Sequence, residues 1–174
     1  TRLFVTDSHE GLTAALYEVY PESPWQRCQA HFARNISEAA PKGYRQGLRS
    51  ELVEMFNCST IEAARIRRDE IIADYATIAP KAMECLDSGF DDAMTVMALP
   101  PEVRRCMRTT NLLERLNREI KRRTKVIGIF PNEGSIHRLV GTLLIEQNEL
   151  WSTLRPMFTQ AMVKEVERHK EKLE

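Results

Sequence analysis

No apolar run in the 174 residues approaches the roughly 18 that suggest a membrane span, so a helical membrane protein is not expected. The four cysteines, Cys28, Cys58, Cys85 and Cys106, form no CxxC pair and no zinc-finger spacing. Free thiols of this kind fit a reducing cytoplasm. There is no Gly-rich phosphate loop and no GxSxG elbow, which weighs against P-loop and hydrolase chemistry. Gly and Pro number only 7 and 8, too few for a linker-rich or disordered chain. An initiator Met and a signal-peptide pattern are also missing, and a chain that opens inside a strand-like run is expected to be a fragment of something longer. The net charge is zero, which excludes a uniformly basic DNA-coating protein but not a locally basic one.

What is present is charge segregation. Residues 1–24 carry one base against four acids, and 25–49 carry five bases against one acid. Residues 50–100 carry four bases against ten acids, and 101–125 carry nine bases against three acids. Two basic blocks therefore flank an acidic one. Clustered Lys and Arg are the footprint of phosphate contacts, and equally of ordinary solvated helix faces.

The hydrophobic content of 43% suffices for a core. Leu3-Phe4-Val5-Thr6 reads as a strand. A helix is expected over 11–20, with Leu12, Leu16 and Val19 in register, and a second over 25–39, with Trp25, Cys28, Phe32, Ile36 and Ala39 on one stripe. Leu48, Leu52, Met55 and Phe56 mark a third. Ser59 and Glu62 have capping-box spacing before a helix over 61–79, and Pro80, Gly89 and Pro100-Pro101 punctuate the chain beyond it. This middle region reads as an all-helical insertion. Over 109–125, at about 100° per residue, Leu112, Leu113, Leu116 and Ile120 share one side. Glu114, Arg118, Lys121 and Lys125 share the opposite side, within about 60°. A turn over 128–132 leads to a helix over 133–151, and a charged helix comes after Met157.

Three constellations carry candidate chemistry. Asp7 sits just past a strand, where α/β folds place working carboxylates; a lone Asp there is also a common helix N-cap or turn residue. Glu114 lies on a basic helix face. It fits an i,i+4 pair with Arg118, or a metal-ligating carboxylate ringed by phosphate-binding cations. Cys28 and His31 are three apart, yet a zinc site needs a third protein ligand and no partner pair is evident, so both read as structural or site-supporting.

Several stretches together resemble the Mutator-type bacterial insertion-sequence transposases, a DDE family. Thr6-Asp7-Ser8-His9-Glu10-Gly11-Leu12 is similar to the second catalytic-aspartate motif. Trp25-Gln26-Arg27-Cys28-Gln29-Ala30-His31-Phe32-Ala33-Arg34-Asn35 is similar to the Cys–His signature. The run from Thr109 to Thr124 resembles the catalytic-glutamate helix, and Gly128-Ile129-Phe130-Pro131-Asn132 and Arg138-Leu139 continue the match. The motifs occur in the family's order across roughly residues 3–151.

The resemblance implies an α/β fold: an RNase H-like core with an all-helical insertion, this fragment being predominantly α-helical with one clear strand. Its expected parts are a partial core over 1–40, the insertion over 41–108, the glutamate helix and a closing core helix over 109–151, and a charged tail over 152–174. It also implies that Asp7 and Glu114 are catalytic metal ligands for two Mg²⁺ or Mn²⁺ ions. A first aspartate, upstream of this sequence, would complete the set, leaving this chain alone inactive. Arg118, Lys121, Arg122 and Lys125 are the expected DNA contacts; Cys28 and His31 match the signature pair. The expected partners are DNA, as element ends and target, and further copies of the protein assembled on it, with no membrane. A non-catalytic DNA-binding fragment or regulator of transposition, or a helical interaction domain without a nucleic-acid role, are the alternatives.

Overall fold

The computed structural model of the protein describes residues 3–154, 156 and 158–171, the last three of these as backbone only. The chain divides into two compact units, Thr1–Thr110 with Glu165–Glu174, and Asn111–Lys164.

The first unit begins with a strand, β1 (Phe4–Thr6), a helix, α1 (Glu10–Val19), and a second strand, β2 (Trp25–Arg27). The strands pair in parallel, with Phe4 opposite Trp25 and Thr6 opposite Arg27. The fragment is predominantly helical, as expected, and its one clear strand has a partner; the expectation of a helix running from residue 25 is corrected by this pairing. Trp25 and Cys28 have helical spacing, but three residues are too few for a period to decide. Pro24 disfavours helical backbone just before it, and its carbonyl accepts from the Phe4 N–H at 3.0 Å, which starts the ladder. The helix itself, α2 (Gln29–Ala39), begins after Cys28. Its inward stripe is Phe32, Ala33 and Ile36, continued by Ala40 just past its end, whereas Ala39 is exposed.

The helices α3 (Arg45–Phe56), α4 (Ile61–Tyr75) and α5 (Pro80–Met94) pack with α2 around one core. Leu48, Leu52 and Met55 of α3, Ile71 of α4, and Leu86 and Phe90 of α5 are fully buried with Phe32 and Ile36. The positions on α2, α3 and α5 recur at three to four residues, the spacing that puts side chains on one helix face. The sheet supplies a buried polar link to this core. The Gln26 Nε2 donates to the Ala93 carbonyl at 2.7 Å, and its Oε1 accepts from the Val96 N–H at 2.6 Å.

Three further expectations are corrected. The residue capping α4 is Thr60, not Ser59; its Oγ1 accepts from the Ala63 N–H at 3.2 Å. The helix expected to reach residue 79 stops at Tyr75, whose carbonyl accepts from both Ile78 and Ala79 N–H groups. Ala79 precedes a proline and is driven out of the helical region, while Pro80 is well placed at the first turn of α5. Gly89 is not a break but a packing position in mid-helix. A Cβ there would meet the Arg27 guanidinium and lie 2.6 Å from the Phe32 ring. The same guanidinium lies 4.3 Å over that ring. A short helix, α6 (Pro101–Met107), closes the unit.

The second unit holds α7 (Asn111–Ile127) and α8 (Glu133–Thr153). Gly128, at φ 73°, ends α7 in the left-handed conformation that glycine adopts without strain. Asn132 caps α8, its Oδ1 accepting from the Ser135 N–H at 3.0 Å. The two helices are joined by an Arg123–Glu146 pair at 3.2 Å. Leu143 is buried, while Leu112 and Leu113 of the expected apolar side of α7 remain exposed. A final helix, α9 (Gln160–Glu171), carries an Arg168–Glu165 pair. Among the described residues no helix is long and apolar enough to cross a membrane.

The gain in helix propensity from Gly89→Ala, about 1 kcal/mol, is outweighed by overpacking against a fully buried ring. The variant is expected to lose about 1–3 kcal/mol of stability, read from urea denaturation of the two proteins.

Candidate functional site

The first unit presents the candidate residues at one end of its sheet. Because Thr6 pairs with Arg27, Asp7 and Cys28 both lie just beyond the carboxyl ends of their strands. That is the edge where open parallel sheets bind ligands. The Cys28 N–H donates to the Thr6 carbonyl at 2.7 Å, so the two strand ends stay in register to their last residue. The Trp25 Nε1 donates to Thr6 Oγ1 at 2.8 Å, and that hydroxyl donates to the Asp7 carbonyl at 2.8 Å. The backbone on either side of Asp7 is thereby held. The N-cap of α1 is His9, so Asp7 does not take the capping role. Its side chain is exposed, and among the described residues no ion pair engages its carboxylate.

Cys28 is fully buried. Its sulfur accepts from both the N–H and the Oγ1 of Thr110 at 3.4 Å. Nearby, the Gln29 N–H donates to the Arg108 carbonyl at 2.9 Å. Residues 108–110 are therefore fastened to the turn between β2 and α2. An His31 ring nitrogen lies within 4.8 Å of the Cys28 sulfur. The Gln29 side chain is buried and donates to the Ala93 carbonyl at 2.8 Å, beside Gln26. Both glutamines stand inside the Cys–His stretch of the sequence, but nothing in their spacing marks them as buried.

In the second unit Glu114 is half-buried on the first turn of α7. Arg118, Lys121 and Lys125 are exposed on the same helix, and none of the three is in an ion pair among the described residues. Arg122 differs. It holds Glu119 through two hydrogen bonds at 2.8 and 2.9 Å, and Arg123 adds a third at 2.9 Å. The hydrogen bonds from Arg122 and then Arg123 pull the Glu119 carboxyl down to about 2. Glu119 thus masks part of the basic face and leaves the rest unmasked. An apolar cleft of about 410 Å³ lies along α7 and α8, walled by Leu116, Leu150 and Trp151. Among the described residues its lining holds no carboxylate, imidazole or thiol.

The comparisons with known proteins agree with the motifs. The sequence matches the family described as "Transposase, Mutator family" over residues 1–153. The transposase for insertion sequence element IS256 in transposon Tn4001 of Staphylococcus aureus is 37% identical over 153 residues, covering 87% of this chain and 39% of that protein. The transposase for insertion sequence element IS1081 of Mycobacterium tuberculosis is 37% identical over 149 residues, covering 86% of this chain and 36% of that protein. The transposase for insertion sequence element ISRM5 of Rhizobium meliloti is 36% identical over 149 residues, covering 86% and 37%. The chain belongs to the Mutator family of transposases. It spans less than two fifths of the length of these relatives.

A carboxyl held below its ordinary value stabilises the fold above that value and loses the contribution as pH falls through the lowered one. For Glu119 the window runs from 4.5 down to about 2. The Glu119 carboxyl resonance is expected to titrate near the low end, and in R122Q/R123Q to move back toward 4.5.

Proposed function

We propose that this chain is part of a metal-dependent DNA transposase and carries two of its three catalytic carboxylates, Asp7 and Glu114. Family membership is the observation that carries the reading. The placement of Asp7 beyond the end of β1 supports it, as does the presence of an acid and unmasked cations on α7. A further aspartate N-terminal to Asp7 completes the set. The parallel pair β1 and β2, joined through α1, is consistent with one edge of an RNase H-like sheet, and α3 to α6 form the helical insertion.

The donor chemistry fits a hard cation. Asp7 and Glu114 offer carboxylate oxygens, the ligands that Mg²⁺ and Mn²⁺ take, and the Cys28 sulfur is already engaged with Thr110. When bound, two such ions neutralise charge on the scissile phosphate and activate the attacking oxygen. The protein's own residues do the rest. Asp7 and Glu114 hold the ions, and Arg118, Lys121 and Lys125 bind backbone phosphates on either side of the scissile bond. Arg122 joins them when a phosphate competes with Glu119. Cys28 and His31 support the turn after β2. Water first attacks a phosphodiester at the element end, expelling a 3′-hydroxyl. That hydroxyl then attacks a target phosphodiester, so one bond forms as another breaks. Assembly of several copies on the DNA ends belongs to the same reading.

In a full-length transposase containing this chain, Asp7→Asn and Glu114→Gln are each expected to abolish Mg²⁺-dependent strand cleavage while end binding persists. Cleavage by either variant at the parental rate would remove that residue from the metal set. Binding is read by gel shift and cleavage on labelled element ends.

A further inference from the structure

One cleft of the first unit gathers cations from both basic stretches of the sequence. It has a volume of about 210 Å³ and is lined by, among others, Gln29, Ala30, Arg49, Asn57, Arg108 and Thr109. Among the described residues no carboxylate lines it. Arg108 is fixed in its wall: Nη1 donates to Asn57 Oδ1 at 2.9 Å and to the Phe56 carbonyl at 3.3 Å. Burial, and then the neighbouring Arg105, push the Arg108 guanidinium pKa down, so its charge is held where charge is disfavoured. Among the described residues no ion pair engages Arg49, Arg105 or Arg108. Arg67, on the same bundle, shows the contrast, with Glu51, Glu54 and Glu70 around it. A partly buried cation is ordinarily paired, so the half-buried Arg108, with no carboxylate partner and the exposed Arg49 beside it in the cleft lining, is suited to an anion from outside.

We propose that this cleft is a phosphodiester subsite in which Arg49 and Arg108 grip one backbone phosphate of a DNA strand. The guanidinium fork matches two phosphate oxygens. Asn57 and Thr109 offer further polar groups at the wall. The first turn of α2 adds no acidic residue, and its end charge has the same sign as the arginines. The subsite rests on the DNA reading above and adds a contact on the helical bundle, apart from the cations of α7.

The test has two arms on the 174-residue chain. In the first, inorganic phosphate is titrated while the amide resonances of Ala30, Asn57 and Thr109 are followed. They shift in the parent and stay put in R49Q/R108Q. In the second, a random-sequence DNA duplex is bound across a salt series. The slope of log affinity against log salt becomes shallower by about 0.9 in R49Q/R108Q, the loss of one neutralised phosphate, and by less in R49Q. Arg49 is exposed and makes no hydrogen bond through its side chain among the described residues, so R49Q keeps the test decisive if the double variant fails to fold. Unmoved amides, or parental slopes in variants that still bind DNA, overturn the subsite and leave the DNA reading standing. A parent that binds no duplex even at low salt overturns the phosphodiester assignment of this cleft, whereas the DNA reading falls only if the full-length protein fails to bind element ends.

Discussion

Two strands of three residues each make too few ladder bonds to persist in water on their own. The Gln26 side chain is what ties this sheet to the helices. Its amide is fully buried and bonds three backbone groups: the Arg27 and Ala93 carbonyls and the Val96 N–H. Two of those lie where α5 gives way to the turn after it, so one residue of β2 is tied to the C-terminal end of a core helix. A buried backbone group left unbonded costs about 1–3 kcal/mol, which makes this arrangement close to all-or-none. β1 depends on β2 for its pairing, and Asp7 takes its place from β1. The candidate site therefore depends on a polar contact some distance from it in the chain.

The net charge of zero conceals a division of labour. The acids of the middle region are largely engaged within the helical bundle. Glu51, Glu54 and Glu70 surround Arg67, while Asp69 and Asp87 meet Arg68. Glu51 also accepts from the Tyr75 hydroxyl at 2.8 Å. Such pairs at a surface contribute little energy each, but they link α3 to α4 and α4 to α5. Outside this set Arg27 lies over the Phe32 ring and Arg45 and Arg104 donate to backbone carbonyls, while Arg49 and Arg108 line the cleft of α2 and α3. On α7 a single acid, Glu119, engages Arg122 and Arg123 and leaves Arg118, Lys121 and Lys125 unmasked. Excess positive charge is thus localised by where the acids are used rather than by the total.

Much of this is legible in the residues. The stripes of α2, α3 and α5 follow helical spacing because each helix buries only one face. The turn at Gly128 and the cap at Asn132 are local chemistry, decided by φ and by one side-chain oxygen. The misreadings share a cause. Trp25 and Cys28 continue the α2 stripe, so β2 stays hidden until its pairing with β1 is known. Ser59 and Thr60 are both competent caps, and choosing between them needs the path of the backbone. Gly89 looks like punctuation, since the Phe32 ring that forbids a Cβ lies on another helix. Arg49 and Arg108 look like two charges in different blocks.

The sequence by itself determined the helical faces, the turn positions, the charge blocks and the ordered motifs of the Mutator family, because each is written in neighbours a few residues apart. Tertiary structure alone decided that residues 25–27 pair as a strand, that two glutamines are buried, that Cys28 bonds Thr110, and that Arg49 shares a cleft with Arg108. Those outcomes depend on groups far apart in the chain competing for the same backbone donors and the same space, and no local pattern records which of them meet.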